Sequence, residues 1–162
     1  MLEVGGGIGD LQIELLKAGA ARAVNVELTP SYEDVAVDLL RELGLGDRVE
    51  RKVADFADDG AAVDPADIVV LNRVICCYPD MPKLAGAAAD HARRTLVMSF
   101  PRQAPWTRFG LALANLVLWI TRSEFHVFLH RPRGILATSE ARGLRTVSDR
   151  TGLVWQVATL ER

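Results

Sequence analysis

The side chains able to do chemistry are concentrated where short apolar runs end. Glu3-Val4 runs straight into Gly5-Gly6-Gly7-Ile8-Gly9, and the run from Ala23 ends on Glu27. Arg48 to Val53 is followed by Asp55-Phe56, and Ile68 to Leu71 ends on Asn72. A glycine-rich turn between a strand and a helix exposes backbone N–H groups and the positive end of the helix, so ligand binding is its default use. Carboxylates at neighbouring strand ends would add acceptors for hydroxyl or amino donors. Two phosphate-binding patterns fail. G-x-G-x-x-G ends on Asp10 when counted from Gly5 and on Gln12 when counted from Gly7. G-x-x-x-x-G-K fails because the fifth residues after Gly5, Gly6, Gly7 and Gly9 are Asp10, Leu11, Gln12 and Glu14.

Elements able to position these residues follow from the hydrophobic pattern. Met1–Val4 reads as a strand. Asp10 reads as the cap of a helix with Leu11, Leu15 and Ala18 inward and Gly19 near its end, and Ala23–Glu27 as a second strand. Thr29-Pro30-Ser31 opens another helix, with Ser31 as its cap and Tyr32, Val35, Ala36, Leu39, Leu40 and Leu43 as its apolar stripe. Arg48–Val53, Asp67–Asn72 and Thr95–Phe100 read as strands, with a helix at Lys83–Arg93. The unbroken run Ile68-Val69-Val70-Leu71 suits a strand covered on both faces.

This alternation predicts an α/β fold: a Rossmann-like, mostly parallel sheet with helices on both faces. Beyond Pro101 the rhythm changes. Pro105–Arg122 reads as a long apolar helix, Glu124–His130 as extended and Pro132–Arg142 as a short helix. Leu144–Ser148 and Leu153–Leu160, joined through Asp149–Gly152, read as a C-terminal antiparallel hairpin. All 162 residues are expected to form one domain, with a helical insertion at about 105–122.

Composition narrows the function classes. With 49% apolar and 25% charged residues the chain is an ordinary globular sequence, neither disordered nor a disulfide scaffold. Nineteen basic against 21 acidic residues leave a net charge of −2, without the positive field that gathers nucleic acid. Cys76 and Cys77 are adjacent, so they cannot staple distant segments and read as a small buried pair. His126 and His130 would suit a metal only on a helix, and their apolar surroundings look extended, so no metal is expected. No leader-like segment opens the sequence, and the longest uncharged apolar run, Phe109–Thr121, is 13 residues, short of a membrane span. A cytoplasmic setting is the expectation.

Glu3-Val4-Gly5-Gly6-Gly7-Ile8-Gly9, an acid followed by glycine at every second position, resembles motif I of the class I S-adenosylmethionine-dependent methyltransferases. The resemblance implies S-adenosylmethionine as cofactor, bound by the turn at Glu3, Gly5, Gly7 and Gly9. Glu27, with Leu28 beside it, is placed like the family's ribose-hydroxyl ligand. Asp55-Phe56 is placed like the acid and apolar pair that hold the adenine amino group and ring. Asn72 is placed like the residue that faces the methionine moiety and the methyl donor. Four features in family order, each at the carboxyl end of a strand, are more specific than any one of them. The resemblance covers Met1 to Phe100 well and the hairpin loosely. Leu71 to Pro79, with its Tyr78-Pro79 pair, is most similar to a small-molecule branch that includes the magnesium-protoporphyrin O-methyltransferases. Family members usually carry helices ahead of the first strand, and their lack here suggests a late start or a fragment.

The expected activity is methyl transfer from a sulfonium to a small, apolar or aromatic acceptor. Tyr78 or a nearby histidine is the candidate base, and Tyr78, Trp106, Phe109 and Trp119 are the candidate acceptor pocket. The helix from Phe109 to Ile120 has two other readings, packing on the core and a weak contact with a membrane surface. The oligomeric state is left open. Two rival functions also remain open: a nicotinamide-dependent oxidoreductase of Rossmann type, and a non-catalytic scaffold that keeps the methyltransferase fold.

Overall fold

A computed structural model describes residues 1–123 and 125–162, so Glu124, at the head of the expected extended segment, lies outside the described residues. Among the described residues seven strands form one sheet: β1 (Leu2–Val4), β2 (Ala23–Glu27), β3 (Val49–Val53), β4 (Ala66–Asn72), β5 (Ala92–Pro101), β6 (Arg145–Thr151) and β7 (Trp155–Glu161). Their order across the sheet is β3-β2-β1-β4-β5-β7-β6. The first five pair in parallel, and β7 runs antiparallel between β5 and β6. Helices α1 (Asp10–Lys17), α2 (Glu33–Glu42), α3 (Phe56–Asp59), α4 (Met81–His91), α5 (Pro105–Ile120) and α6 (Pro132–Glu140) make up the rest of the regular structure.

The α/β alternation and the closing hairpin are as the sequence predicts, with three local corrections. Asp10 is the first helical residue of α1 and Gly9 takes the cap position at φ 92°, so the helix turns Gln12, Ile13 and Leu16 inward instead of Leu11, Leu15 and Ala18. Thr29, not Ser31, caps the next turn: its Oγ1 accepts the Ser31 amide, and Pro30–Tyr32 form a 3₁₀ turn before α2 begins at Glu33. The α2 stripe is only half used. Ala36 and Leu40 are buried, while Tyr32, Val35 and Leu43 stay exposed, because α2 lies over the β2–β3 edge and meets only the small cluster of Ile13, Leu16, Ala23 and Leu45. Residues 125–130 are neither helical nor paired in the sheet.

The main core lies between β4, β5, β7 and one layer of helices. Val69 and Leu71 of β4, Leu96, Met98 and Phe100 of β5, and Ala158 and Leu160 of β7 are almost wholly enclosed. Against them α4 presents Leu84, Ala85, Ala88 and Ala89, whose small side chains let the helix approach the strands closely. Ile135 of α6 closes the layer. This rigid centre fixes where the carboxyl ends of β1, β2, β3 and β4 emerge, and hence where their acidic and amide residues stand. Leu96→Ala is expected to cost about 2–5 kcal/mol of unfolding free energy, while Phe109→Ala on the exposed face of α5 shifts it by less than about 0.5 kcal/mol; urea denaturation of both measures the contrast.

Candidate functional site

The turn after β1 is built around Gly7. At φ 55° this residue sits in the left-handed region, which glycine enters without steric cost. Both sides of its backbone are held. Its amide donates to Glu27 Oε2 at 2.8 Å, and its carbonyl accepts from Arg51 Nη2 at 2.9 Å. Arg51 is anchored in turn by Glu33 at the start of α2, 2.7 Å away, and its side chain is almost wholly buried. One carboxylate and one guanidinium from two neighbouring strands thus set the shape of the turn.

A cavity of about 430 Å³ opens over this turn, within the size range of small-molecule sites. Of the residues singled out in the sequence, Gly5, Gly7, Glu27, Leu28, Asp55, Phe56 and Tyr78 line it. Glu27 is 7% exposed; besides the Gly7 amide on Oε2, its Oε1 accepts from the amides of Leu28 at 2.9 Å and Thr29 at 3.4 Å. A carboxylate offers about four acceptor sites, so Oε2 retains one toward the cavity, and the long Thr29 contact is the easiest to exchange. Asp55 caps α3 through the Ala57 amide and also receives the Tyr78 hydroxyl at 3.0 and 3.2 Å. Phe56 is buried beside it. Gly5, at φ 66°, must be glycine on two counts, since a Cβ there would run into the Val74 side chain on the cavity wall.

Other candidate residues stand elsewhere. Glu3 does not reach the cavity: it is 2% exposed beneath the turn, where Oε2 accepts the Gln12 amide of α1 at 3.2 Å. Gly9 is buried at the cap of α1 and also lies outside the lining. Asn72 is exposed but turned aside, its Oδ1 accepting from Ser99 Oγ at 2.7 Å; that hydroxyl also accepts the Arg73 amide at 2.8 Å. Trp106, Phe109 and Trp119 do not line the cavity. Trp106 donates its indole N–H to the Leu153 carbonyl and lies under the Arg102 guanidinium, which draws it toward the β6–β7 turn. The aromatic lining comes from Tyr78, Tyr32, Phe56 and Phe125.

Tyr78, the candidate base, stands at the cavity with its hydroxyl engaged as a donor. Burial, followed by the hydrogen bond it donates to Asp55, pushes its phenol up to about 12, so at neutral pH it keeps its proton and acts as a donor. The histidines are held by backbone carbonyls or amides: His91 by Ala87 and Gly60, His130 by Tyr78, and His126 by the Asn115 side chain. The cysteine pair is split. Cys76 is buried, whereas Cys77 lines the cavity with its Sγ 3.7 Å from its neighbour's.

Sequence reasoning missed Arg51, Arg73, Val74 and Phe125. Arg73 is a non-glycine residue at φ 61°, strained backbone at the carboxyl end of β4, with its guanidinium 5.1 Å from the Trp155 ring. Nothing in its local sequence signals this. Arg51 had a signal, a long cation in a short strand opposite an acid at a helix start, but it acquires meaning only when β3 lies beside β2.

Glu3 carries the strongest electrostatic consequence. Burial pushes its carboxyl from the ordinary 4.5 up to about 7, outweighing the Gln12 amide that favours the charged form. The folded chain therefore holds a proton that the unfolded chain releases between those two values. Stability falls as pH rises from about 4.5 to about 7, by on the order of 3 kcal/mol for this group. Glu3→Gln, which cannot titrate, is expected to remove that slope, and urea unfolding of both proteins across the window measures the difference.

The sequence matches no family model and no curated protein. Solved structures match over nearly the whole chain. The magnesium protoporphyrin IX methyltransferase from Synechocystis PCC 6803, with bound S-adenosylhomocysteine, superposes with a TM-score of 0.78 at 19% identity over 99% of this chain and 73% of that one. An O-methyltransferase family protein from Burkholderia thailandensis gives 0.83 at 20% identity over 99% and 50%. The geranyl diphosphate C-methyltransferase from Streptomyces coelicolor A3(2), in complex with Mg²⁺, geranyl diphosphate and S-adenosylhomocysteine, gives 0.77 at 15% over 99% and 71%. With the strand order and the antiparallel β7, these likenesses show that the chain has the Rossmann-like fold of the class I S-adenosylmethionine-dependent methyltransferases.

Proposed function

We propose that the protein binds S-adenosylmethionine in the cavity over the glycine turn and transfers its methyl group to a small, apolar or aromatic acceptor. The observation that carries this reading is Glu27: a carboxylate enclosed by protein, held by three backbone amides, with acceptor capacity turned into a largely apolar cavity. Two ribose hydroxyls suit that carboxylate. Asp55 offers an acceptor for the adenine amino group once the Tyr78 hydroxyl gives up its place, and Phe56 and Leu28 offer faces for the ring. The cofactor, when bound, supplies a methyl group already activated by the positive charge on sulfur. The protein's own contribution is then placement and exclusion of water, effects worth up to ~7–11 kcal/mol.

Tyr78 retains its proton, so it orients an acceptor as a hydrogen-bond donor. Phe125 and Val74 extend the apolar lining beside it. A fold neighbour crystallised with geranyl diphosphate, a molecule with an apolar prenyl chain and a charged diphosphate, supports an acceptor with an apolar part here. The nicotinamide reading loses ground to the topology. Dinucleotide-binding sheets run parallel in the order 3-2-1-4-5-6. Here the antiparallel β7 intervenes between β5 and β6.

Isothermal titration tests the assignment directly. S-adenosylhomocysteine is expected to bind and NADH not to. Glu27→Gln, which removes the charge from the sugar's partner, should weaken S-adenosylhomocysteine by about 10- to 100-fold. Binding of NADH alone, or unchanged S-adenosylhomocysteine affinity in a folded Glu27→Gln protein, would reverse the assignment.

A further inference from the structure

Helix α5 is apolar on two opposite sides, and only one of them is covered. Thr107, Leu111, Ala114 and Leu118 recur at helical spacing on the covered or half-covered side. Trp106, Phe109, Leu113, Leu116, Val117 and Ile120 fall on the other side, every one at least half exposed. Phe109 is 74% and Trp119 76% exposed, among the most exposed large apolar side chains of the described residues. A helix apolar all round ordinarily lies within a core or against lipid. With 16 residues α5 is about 24 Å long, and no helix among the described residues is long and apolar enough to cross a membrane. An apolar helix of that length fits in the plane of an interface.

The charge carried by the segment around α5 selects the occupant. From Pro101 to Ser139 the sequence carries Arg102, Arg108, Arg122, Arg131 and Arg133 against a single acid, Glu124, although the whole chain is net negative. Arg108 and Arg131, both exposed, line a groove on the half-covered side of α5 with Leu111 and Asn115, while Arg102, Arg131 and Arg133 share another with Asp149; Arg108 in the first turns and Arg122 just past the end are the cations next to the helix itself. Among the described residues no carboxylate pairs with Arg108, Arg131 or Arg133. Tryptophans stand near both ends of the helix, the side chain best suited to the headgroup boundary.

We propose that α5 seats the protein on an anionic lipid surface, with its outer face among the acyl chains and Arg108 and Arg122, toward its two ends, among the phosphates. A two-fold contact between copies would cover the same apolar area but supply no counter-charge to Arg108 and Arg122. Acidic lipid supplies it. The proposal stands independently of methyl transfer.

Cosedimentation of the whole chain with vesicles tests it. Binding is expected to vesicles of phosphatidylglycerol and phosphatidylcholine and to be much weaker for phosphatidylcholine alone. Phe109→Ser combined with Trp119→Ser should lower the partition coefficient at least tenfold, and Arg108→Ala with Arg122→Ala by about fivefold per arginine. Thermal melting checks that both variants fold, and quenching of tryptophan fluorescence by brominated acyl chains reports insertion. Absence of vesicle binding, equal binding to neutral vesicles, or binding untouched by the Phe109 and Trp119 changes overturns the proposal. So does a dimer in sedimentation equilibrium that those changes dissolve while vesicles are ignored.

Discussion

The site depends on how one peptide segment is held. Gly7 lies in a left-handed conformation with its amide tied to Glu27 and its carbonyl tied to Arg51, so the turn that begins the cavity is fixed by two oppositely charged groups on adjacent strands. Charge-assisted hydrogen bonds in a partly dry setting are stronger and more directional than neutral ones. Because Arg51 is itself paired with Glu33, the start of α2, the edge strand β3 and the glycine turn are tied together. Glu27 therefore has two tasks: it shapes the turn from one side and faces the cavity from the other.

Beneath the same turn lies a second support. Glu3 is shut away from water, and burial pushes its carboxyl up to about 7; below that it accepts the Gln12 amide of α1 without holding a full buried charge. The acid of the glycine motif is thus part of the scaffold and not a cavity group. Glu27, the last residue of β2, and Asp55, two residues past the end of β3, by contrast line the cavity. Position along the strand, more than residue type, separates a structural acid from a binding acid.

Tyr78 and α5 show how the chain divides its aromatic residues. Tyr78, Phe56 and Phe125 gather at the cleft, whereas Trp106, Phe109 and Trp119 stand outside it on a helix whose inner side alone rests on the fold. The apolar composition of α5 reads equally well as core, lid or interface in a linear sequence. Only the direction in which the helix packs distinguishes them, and that direction is set by β5 before it and by the segment that returns along it, where Asn115 bonds both backbone groups of Val127.

Much of this protein was legible in the order of its residues. Periodicity and punctuation determined the α/β alternation, because a buried strand such as Val69–Leu71 and a glycine turn such as Gly5–Gly9 leave unambiguous local patterns. Glu27 and Asp55-Phe56 stand at or just past strand ends in the sequence, and the resemblance of their order to the methyltransferase pattern singled them out; both line the cavity. What lay beyond the sequence was contact between segments distant along it. The pairing of Arg51 with Gly7 and Glu33, the burial of Glu3 under the turn, and the engagement of Asn72 by Ser99 exist only after strands are laid side by side. The inward side of α1 and the outward side of α5 were likewise decided by tertiary packing. A helix of mixed or wholly apolar composition has no preferred face until a neighbour covers one, and solvent or lipid receives the other.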